Sequence, residues 1–425
     1  MSHISRRKFN TMLTLGSASL LSPVALLGQS KPKVVIIGGG AGGATMARYL
    51  ANDSSGQLDI TLIEDSPRYT TCFFSNLYLG DIYDFESITF NYDTLASRYG
   101  VNVVNGYAES ITPQSKQVKL RDGTTLQYDR LVVAPGIEID YDDVPGYSKD
   151  ASELAPHAWQ AGPQTTLLKQ KLDSLEDGQN IIIVAPPNPY RCPPGPYERA
   201  SMMAHSLYSK GFENSNIYII DRKETFAKQN LFTEGWETHY PGIIEWYSSD
   251  IHGGIVQVDT EAGIVETDLD TFEGSLLNVI PAQKAGSIAA SAGLTDDSGF
   301  CPIEAASMRS TLDENIYVIG DASVAGDMPK SGFAANSQAK VAAMVIRAEL
   351  LSSSRYPATY ANVCWSLISL ANSVKVGAHY APGDDGQIRS TSSFISESKE
   401  ASATRTATYQ EAVGWYSSIT KDMFG

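Results

Sequence analysis

The sequence predicts an α/β fold that is built on two parallel β-sheets with helices packed on their faces. Two apolar runs carry this prediction, one at residues 33–37 and one at residues 180–184, and a turn and a helical pattern follow each of them. Parallel strands are buried on both faces, and for that reason they are apolar at nearly every position. The chain has 425 residues, which is enough for two or three domains of this kind.

The turn after the first run has the glycine spacing of a dinucleotide-binding site. Gly38, Gly40 and Gly43 give the pattern G-x-G-x-x-G at the start of the following helix. These glycines permit a tight turn, a close approach of the backbone to a pyrophosphate and close packing of the helix. Glu64 ends the next predicted strand, where its carboxylate can accept hydrogen bonds from ribose hydroxyls. The strand, the glycines, the helix and the acid together predict a bound dinucleotide.

Two later segments are predicted to complete the same sheet. Residues 131–133 form an apolar strand before a Pro-Gly turn, and residues 315–319 form another strand that ends at Gly320 and Asp321. At that strand end Asp321 could hold the ribityl chain of a flavin, although a surface aspartate after a core strand would give the same pattern. With the first fingerprint in place, we expect the dinucleotide to be FAD.

The turn after the second run lacks the glycines that a nicotinamide nucleotide would need. It contains Cys192 instead, just before a helix that is predicted for residues 197–210 and beside Arg191 and Arg199. A helix N-terminus and nearby cations favour a thiolate, so we expect Cys192 to be reactive. Glu198 lies in the first helical turn, where it either relays protons or only complements the helix dipole.

The other three cysteines allow more than one interpretation. Cys301 precedes the strand at residues 315–319, so it could form either a redox-active disulfide with Cys192 or a structural one. Cys72 lies eight residues after Glu64, where it could form a thioether to the flavin or be a buried thiol. Cys364 is most simply a core residue. The cysteine spacings exclude a paired Cys-x-x-Cys zinc site and a Cys-x-x-Cys-His haem site, so no metal ligand is expected.

The N-terminal segment and the net charge predict where the protein works. Arg6 and Arg7 precede an apolar stretch at residues 12–27, which is typical of a cleaved twin-arginine export signal and less so of a membrane anchor. The chain is therefore expected in the periplasm. A formal net charge of −16 argues against nucleic acid or anionic lipid as a partner. No other long apolar run is present in the sequence, so no stable membrane insertion is expected.

Taken together, these segments closely resemble the flavoprotein subunit of flavocytochrome c sulfide dehydrogenase. Residues 191–200, which read Arg-Cys-Pro-Pro-Gly-Pro-Tyr-Glu-Arg-Ala, are the most specific of them. The matching segments are the twin-arginine leader and residues 34–43, 69–76, 132–137, 191–201, 299–302, 318–322, 328–338 and 415–425.

The resemblance implies a fold, a cofactor and a partner. The fold is that of two-dinucleotide-binding-domain flavoproteins, similar to glutathione reductase, with the FAD domain split around a second Rossmann-like domain. FAD would be attached through Cys72, and electrons would pass to a c-type cytochrome subunit in a heterodimer. The resemblance also implies a disulfide of Cys192 with Cys301 beside the flavin, with Glu198 as the nearby acid.

These expectations divide the chain into five parts. They are a signal peptide at 1–30, the first part of the FAD domain at 31–155, a second Rossmann-like domain at 156–275 that is not expected to bind NAD, the second part of the FAD domain at 276–351 and a C-terminal interface domain at 352–425.

The expected function is oxidation of hydrosulfide to elemental sulfur or polysulfide, with attack on the disulfide, two-electron transfer to FAD and delivery to the cytochrome. A sulfide:quinone oxidoreductase is the nearest alternative, and a non-catalytic electron-transfer subunit is another. An NADH-linked disulfide reductase is disfavoured by the glycine-free second turn.

Overall fold

The computed structural model describes residues 30–425. The predicted export signal falls almost entirely on residues 1–29, so it lies outside the described residues. Among residues 30–425, no helix combines the length and the apolar character needed to cross a bilayer.

The described chain contains ten α-helices. Their bounds are α1 Ala41–Asp53, α2 Ser75–Leu79, α3 Asp93–Ser97, α4 Pro163–Asp173, α5 Gly195–Ser209, α6 Gln229–His239, α7 Ser249–His252, α8 Ser287–Ser291, α9 Gly332–Leu351 and α10 Ser402–Phe424.

Twenty-four strands accompany them in the same part of the chain. The first twelve are β1 Lys33–Ile37, β2 Asp59–Glu64, β3 Arg68–Thr70, β4 Thr89–Asn91, β5 Asn102–Asn105, β6 Ala108–Thr112, β7 Gln117–Leu120, β8 Thr125–Gln127, β9 Arg130–Val133, β10 Ile137–Ile139, β11 Ile181–Ala185 and β12 Ile217–Asp221. The others are β13 Ile244–Tyr247, β14 Ile255–Asp259, β15 Ile264–Thr267, β16 Thr271–Glu273, β17 Leu276–Val279, β18 Gln283–Ala285, β19 Cys301–Pro302, β20 Ile316–Val318, β21 Ser323–Val324, β22 Tyr360–Ser369, β23 Asn372–Pro382 and β24 Ile388–Ile395.

The first parallel sheet has the strand order β20-β9-β1-β2-β5, with every neighbouring pair parallel. Strand β1 is buried along four of its five residues because α1 and α9 cover the sheet. In the register, Ile37 lies between Ile63 and Val133, so β1, β2 and β9 end at the same edge. Parallel strands that end together place their following turns side by side, and the first cavity described below lies there.

The second parallel sheet has the strand order β13-β12-β11-β17. All five residues of β11 are buried, and α5 follows it after a turn without a glycine fingerprint. The two parallel sheets that the sequence predicts are therefore confirmed.

The C-terminal part adds an antiparallel sheet, β22-β23-β24, and the helix α10. The buried residues of α10 recur every three or four positions, at Thr408, Ala412, Tyr416, Ile419 and Met423. This spacing gives one buried helical face, and that face packs on the first sheet's domain. Strand β22 lies close to the start of α9, where the hydroxyl of Ser331 donates to the side-chain oxygen of Asn362.

Candidate active site at the junction of two cavities

A large cavity lies at the carboxyl edge of the first parallel sheet. Its volume of about 730 Å³ is within the ordinary range for cofactor sites. Six of the seven residues that the sequence assigned to a dinucleotide line it, namely Gly38, Gly40, Glu64, Cys72, Gly320 and Asp321. Gly43 is not among the lining residues.

The glycine turn has the geometry that a fingerprint requires. Gly38 has φ +94°, and a Cβ atom there would lie 2.3 Å from the carbonyl oxygen of Ala134. A Cβ atom on Gly43 would lie 1.8 Å from the carbonyl oxygen of Gly38, so α1 can approach the turn only with glycine at that position. Larger residues at either position would push the helix away from the sheet.

Two carboxylates at the ends of β2 and β20 are available to a ligand in this cavity. The backbone amides of Gly39 and Ser66 donate to the two oxygens of Glu64, at 2.6 and 3.2 Å, and each oxygen retains capacity for a further bond. Burial raises the pKa of Glu64. The Oδ1 atom of Asp321 is buried without a hydrogen-bond partner among the described residues. An orphaned acceptor in the cleft fits a hydroxyl of the ribityl chain, so these residues fit FAD.

A second, smaller cavity of about 70 Å³ adjoins the first, and Cys72, Phe73 and Gly332 line both of them. The small cavity also contains Cys192 and Cys364 in its walls, together with Glu198. Three of the four cysteines of the described chain therefore surround a space that admits only small molecules or ions. Cys72 lies between that space and the dinucleotide cleft, which is the position that a link to the flavin would need.

Cys192 is held in a strained turn before α5. It has φ +53°, its amide donates to the carbonyl oxygen of Lys330 at 2.8 Å, and its own carbonyl accepts from Gly195 at 2.7 Å. Desolvation raises the pKa of its thiol well above the ordinary value, the charge of Cys364 adds to this rise, and the charge of Arg191 only partly opposes it. Burial therefore opposes the thiolate that the charge of Arg191 favours, and the expected reactivity of Cys192 stays a prediction.

Cys364 was interpreted from the sequence as a core residue, yet it lines the small cavity. It lies on β22 between Asn362 and Ser366, and the side-chain amide of Asn362 donates to its sulfur at 3.5 Å. Because alternate residues of a strand share a face, Asn362, Cys364 and Ser366 form a polar row on one side of β22. That period-two polar pattern was the signal in the sequence that could have placed Cys364 in a site.

Cys301 is not brought to either cavity lining. It is fully buried in the core of the first sheet's domain, where it pairs with Ser323 in a short parallel bridge. Burial raises its pKa to about 12, and the charge of Lys330 lowers it only in part. All four cysteines are free thiols in this structure. The pairing of Cys192 with Cys301 stays a prediction, and the small cavity that Cys192 lines has Cys364, not Cys301, in its wall.

Glu198 lines the small cavity, as expected of an acid near the reactive sulfur. Its two oxygens accept from the amide of Leu367 and from the side chain of Asn76, both at 2.9 Å. Burial raises its pKa, so it binds a proton more tightly than an exposed glutamate does. The hydrogen bond to Leu367 also ties α5 to β22. Whether Glu198 relays protons stays a prediction.

Arg199 has a structural task that the sequence did not indicate. Its guanidinium is buried and donates to the carbonyl oxygens of His157 and Ala158 and to the side-chain oxygens of Asn76 and Asn278, at 2.7 to 3.1 Å. Desolvation lowers its pKa to about 9. Arg199 therefore holds the segment before α4 against α5.

The edge of the second sheet is closed where a nicotinamide nucleotide would bind. Asp221 ends β12, in the position that corresponds to Glu64, but it is completely buried. It accepts from the hydroxyl of Tyr197 at 2.5 Å and from the indole of Trp246 at 2.9 Å, and it pairs with Lys223 at 2.5 Å. This closure gives a physical reason for expecting no NAD in the second domain.

Comparisons with known proteins agree with the fold and the cavity. Residues 32–184 match the pyridine nucleotide-disulphide oxidoreductase family model. Residues 165–281 match the central region of the sulfide dehydrogenase (flavocytochrome c) flavoprotein chain, and residues 356–424 match the flavin-binding region of flavocytochrome c sulphide dehydrogenase. The fold and the large cavity thus define an FAD-binding oxidoreductase.

More particularly, the chain is similar to the flavocytochrome c sulfide dehydrogenase flavoprotein chain over the two segments that these family models match. It is 30% identical over 181 residues to a sulfide-quinone reductase of Aquifex aeolicus, which is 42% of this chain and only 40% of that protein. It is 21% identical to the mitochondrial sulfide:quinone oxidoreductase of Dictyostelium discoideum over 73% of this chain and 69% of that protein.

Solved structures show the same fold. The sulfide:quinone oxidoreductase of Aquifex aeolicus superposes with a TM-score of 0.68 at 16% identity and covers 92% of each chain. The predicted α/β fold with two dinucleotide-binding-type sheets is therefore confirmed.

Proposed function

We propose that this chain oxidises hydrosulfide with FAD and a pair of cysteines, Cys192 and Cys364. The observation that carries the proposal is the junction of the two cavities: the dinucleotide cleft opens at Cys72 and Phe73 onto a small chamber that both cysteines line. A chamber of about 70 Å³ suits an anion of the size of hydrosulfide and excludes large organic disulfides.

The two sulfurs are suited to one reversible disulfide. Each lines the same chamber from a different segment of the chain, Cys192 from the turn before α5 and Cys364 from β22. Hydrosulfide would attack the oxidised pair, form a bond to one sulfur and release the other as a thiolate. A bound FAD supplies a two-electron acceptor that can release electrons singly. The protein supplies the chamber and holds the two sulfurs in its wall. Glu198 is the group in the same wall that can hold a proton.

The electron acceptor is proposed to be a c-type cytochrome subunit in a heterodimer, with the chain working in the periplasm. Support comes from the two matches to flavocytochrome c family models, one of which covers the C-terminal residues 356–424. Membrane quinone is the second candidate, because the relatives found by sequence are quinone-linked enzymes.

Purified FAD-loaded protein tests the acceptor directly. We expect hydrosulfide to reduce added c-type cytochrome without quinone, and expect much slower reduction of a short-chain ubiquinone under the same conditions. Faster electron transfer to ubiquinone would make the quinone, and not the cytochrome, the proposed acceptor. Electron transfer to neither would refute sulfide oxidation by the isolated chain. Cys192→Ser is the matched inactive variant, since it should retain FAD and lose both reactions.

Attachment of FAD through Cys72 is part of the proposal. Cys72 is the one cysteine of the described chain that lines both cavities. A thioether there would fix the flavin edge at the junction, which keeps the cofactor oriented towards the chamber.

A further inference from the structure

A buried lysine, Lys228, contacts the strand that carries Cys364. Lys228 is only 6% exposed, and it precedes α6 with its backbone in the left-handed region at φ +65°. Its Nζ atom donates to the carbonyl oxygen of Cys364 at 3.1 Å and to the hydroxyl oxygen of Ser366 at 2.7 Å. The lysine thus approaches β22 at the cysteine itself.

The partners of Lys228 distinguish it from an ordinary buried lysine. Lys223, five residues earlier in the chain, has a carboxylate oxygen of Asp221 at 2.5 Å from its Nζ atom. Lys228 makes its hydrogen bonds to neutral oxygens instead, and burying a cation in this way costs free energy unless an anion forms nearby. The acidic groups that act on it are Cys364, Glu198 and Cys192, all of which line the small cavity.

The charged and titratable surroundings of Cys364 are few. Lys228 lowers its pKa, as do hydrogen bonds from Asn362 and Ser331, whereas burial and the charge of Glu198 raise it. Cys192 faces it across the cavity, and Tyr380 on the adjacent strand also lies within its electrostatic reach. Burial lowers the pKa of Lys228 to about 8, so its amine is still mainly protonated at neutral pH.

We propose that Lys228 is the cation that stabilises the thiolate of Cys364 when the disulfide opens, and that it thereby directs hydrosulfide to the sulfur of Cys192. The inference rests on the proposed function. In this step the sulfur of hydrosulfide bonds to Sγ of Cys192, the Cys192–Cys364 bond breaks, and its electron pair leaves on Sγ of Cys364. Cys192 becomes a persulfide that retains the proton of hydrosulfide, the attacking sulfur is oxidised, and the disulfide is reduced.

The movement of charge explains why a lysine at this position determines which of the two sulfurs hydrosulfide attacks. One negative charge moves from the incoming hydrosulfide to the leaving sulfur, so the transition state develops charge on the sulfur that departs. Departure of Cys364 places that charge on the residue whose backbone carbonyl Lys228 contacts and whose thiol pKa the charge of Lys228 lowers. Departure of Cys192 places it on a thiol whose pKa desolvation raises and the charge of Arg191 only partly lowers. The lower-pKa thiol leaves faster. Lys228 is therefore a positioning residue, since it acts through Cys364.

Site-resolved alkylation tests the proposal. The FAD-loaded protein is reduced, treated briefly with iodoacetamide across a pH series, and each cysteine is quantified by peptide mass spectrometry. We expect Cys364 to react with a lower pH midpoint than Cys192. In Lys228→Met the Cys364 midpoint should rise by about one pH unit, which is a loss of about tenfold in rate below the midpoint.

Two matched variants separate charge from hydrogen bonding. Lys228→Arg keeps the cation and should leave the Cys364 midpoint within about half a unit of the wild type. Ser366→Ala removes the hydroxyl partner but keeps the cation, and should also leave it near the wild-type value. Lysine, arginine and methionine are all unbranched at Cβ, so the left-handed backbone at residue 228 strains them alike.

Several outcomes would overturn the proposal. An unchanged Cys364 midpoint in Lys228→Met would do so, as would an equal shift in Ser366→Ala. If Lys228→Met does not retain FAD, the proposal is decided by the order of the two alkylation midpoints in the wild type. A lower midpoint for Cys192 than for Cys364 then refutes Cys364 as the leaving sulfur. Sulfide turnover is measured in the same wild-type preparation. If the wild type oxidises sulfide but Lys228→Met leaves the Cys364 midpoint unchanged, only the role of Lys228 is rejected. If the wild type does not oxidise sulfide, the proposed function itself is rejected.

Discussion

Replacing Cys301 and Cys364 separately by alanine should affect stability and activity in opposite ways. Cys301 is fully buried in the core, so Cys301→Ala leaves a cavity there and should lower the free energy of unfolding by about 1 kcal/mol. Cys364 is partly exposed to a cavity that already exists, so Cys364→Ala should change stability by less than about 0.5 kcal/mol. Urea unfolding of the FAD-loaded proteins measures both values.

Sulfide turnover should show the reverse order. Cys364→Ala removes one sulfur of the proposed disulfide and should lower kcat by about 100-fold or more, because the remaining thiol cannot complete the relay. Cys301→Ala should retain at least half of the wild-type kcat. A folded, FAD-containing Cys301→Ala protein without sulfide turnover would refute the assignment of the pair and restore the pairing expected from the sequence.

Three further substitutions test other parts of the site. Cys72→Ser should leave FAD extractable by acid denaturation, and mass spectrometry of the chain that still showed a flavin adduct would contradict the attachment. Glu198→Gln should remove a pH dependence of stability. The folded-state pKa of Glu198 is raised, so the wild type's advantage over the variant should be greatest below the unfolded pKa of about 4.5 and fall as pH rises through the folded pKa, as followed by urea unfolding. Arg199→Met should lower the free energy of unfolding by about 3 kcal/mol or more, because it leaves three oxygens without a donor and removes one of the two donors to the carbonyl of His157. An unchanged melting temperature would argue against that structural role.

The dinucleotide half of the site could be predicted well from the sequence. Gly38 and Gly43 must be glycine because a Cβ atom at either position would collide with a backbone carbonyl oxygen nearby. Contacts within one turn fix the spacing of these glycines in the sequence, and that spacing can be recognised. Glu64 and Asp321 end strands of one sheet, so their common location follows from the rule that ligands bind at the carboxyl edge.

The sulfur half could not be predicted to the same extent, because it depends on how distant segments pack. Cys301 precedes a strand of the first sheet, which makes it close in sequence to the cofactor domain but places its side chain in the core. Cys364 comes from a C-terminal sheet whose docking no local pattern specifies. No sequence motif marks Lys228, because its proposed role depends on its burial and on its contact with β22.

The two cavities differ in how much of the chain must be made before they exist. The described lining of the large cleft ends at Ala335, whereas the small chamber takes part of its wall from β22 and α10, as far as Trp415. During synthesis, the residues that line the cleft therefore emerge from the ribosome before those that form the last wall of the chamber. A nascent or truncated chain that stopped near residue 356 would contain the nucleotide cleft and Cys192 but not Cys364, the other half of the proposed disulfide.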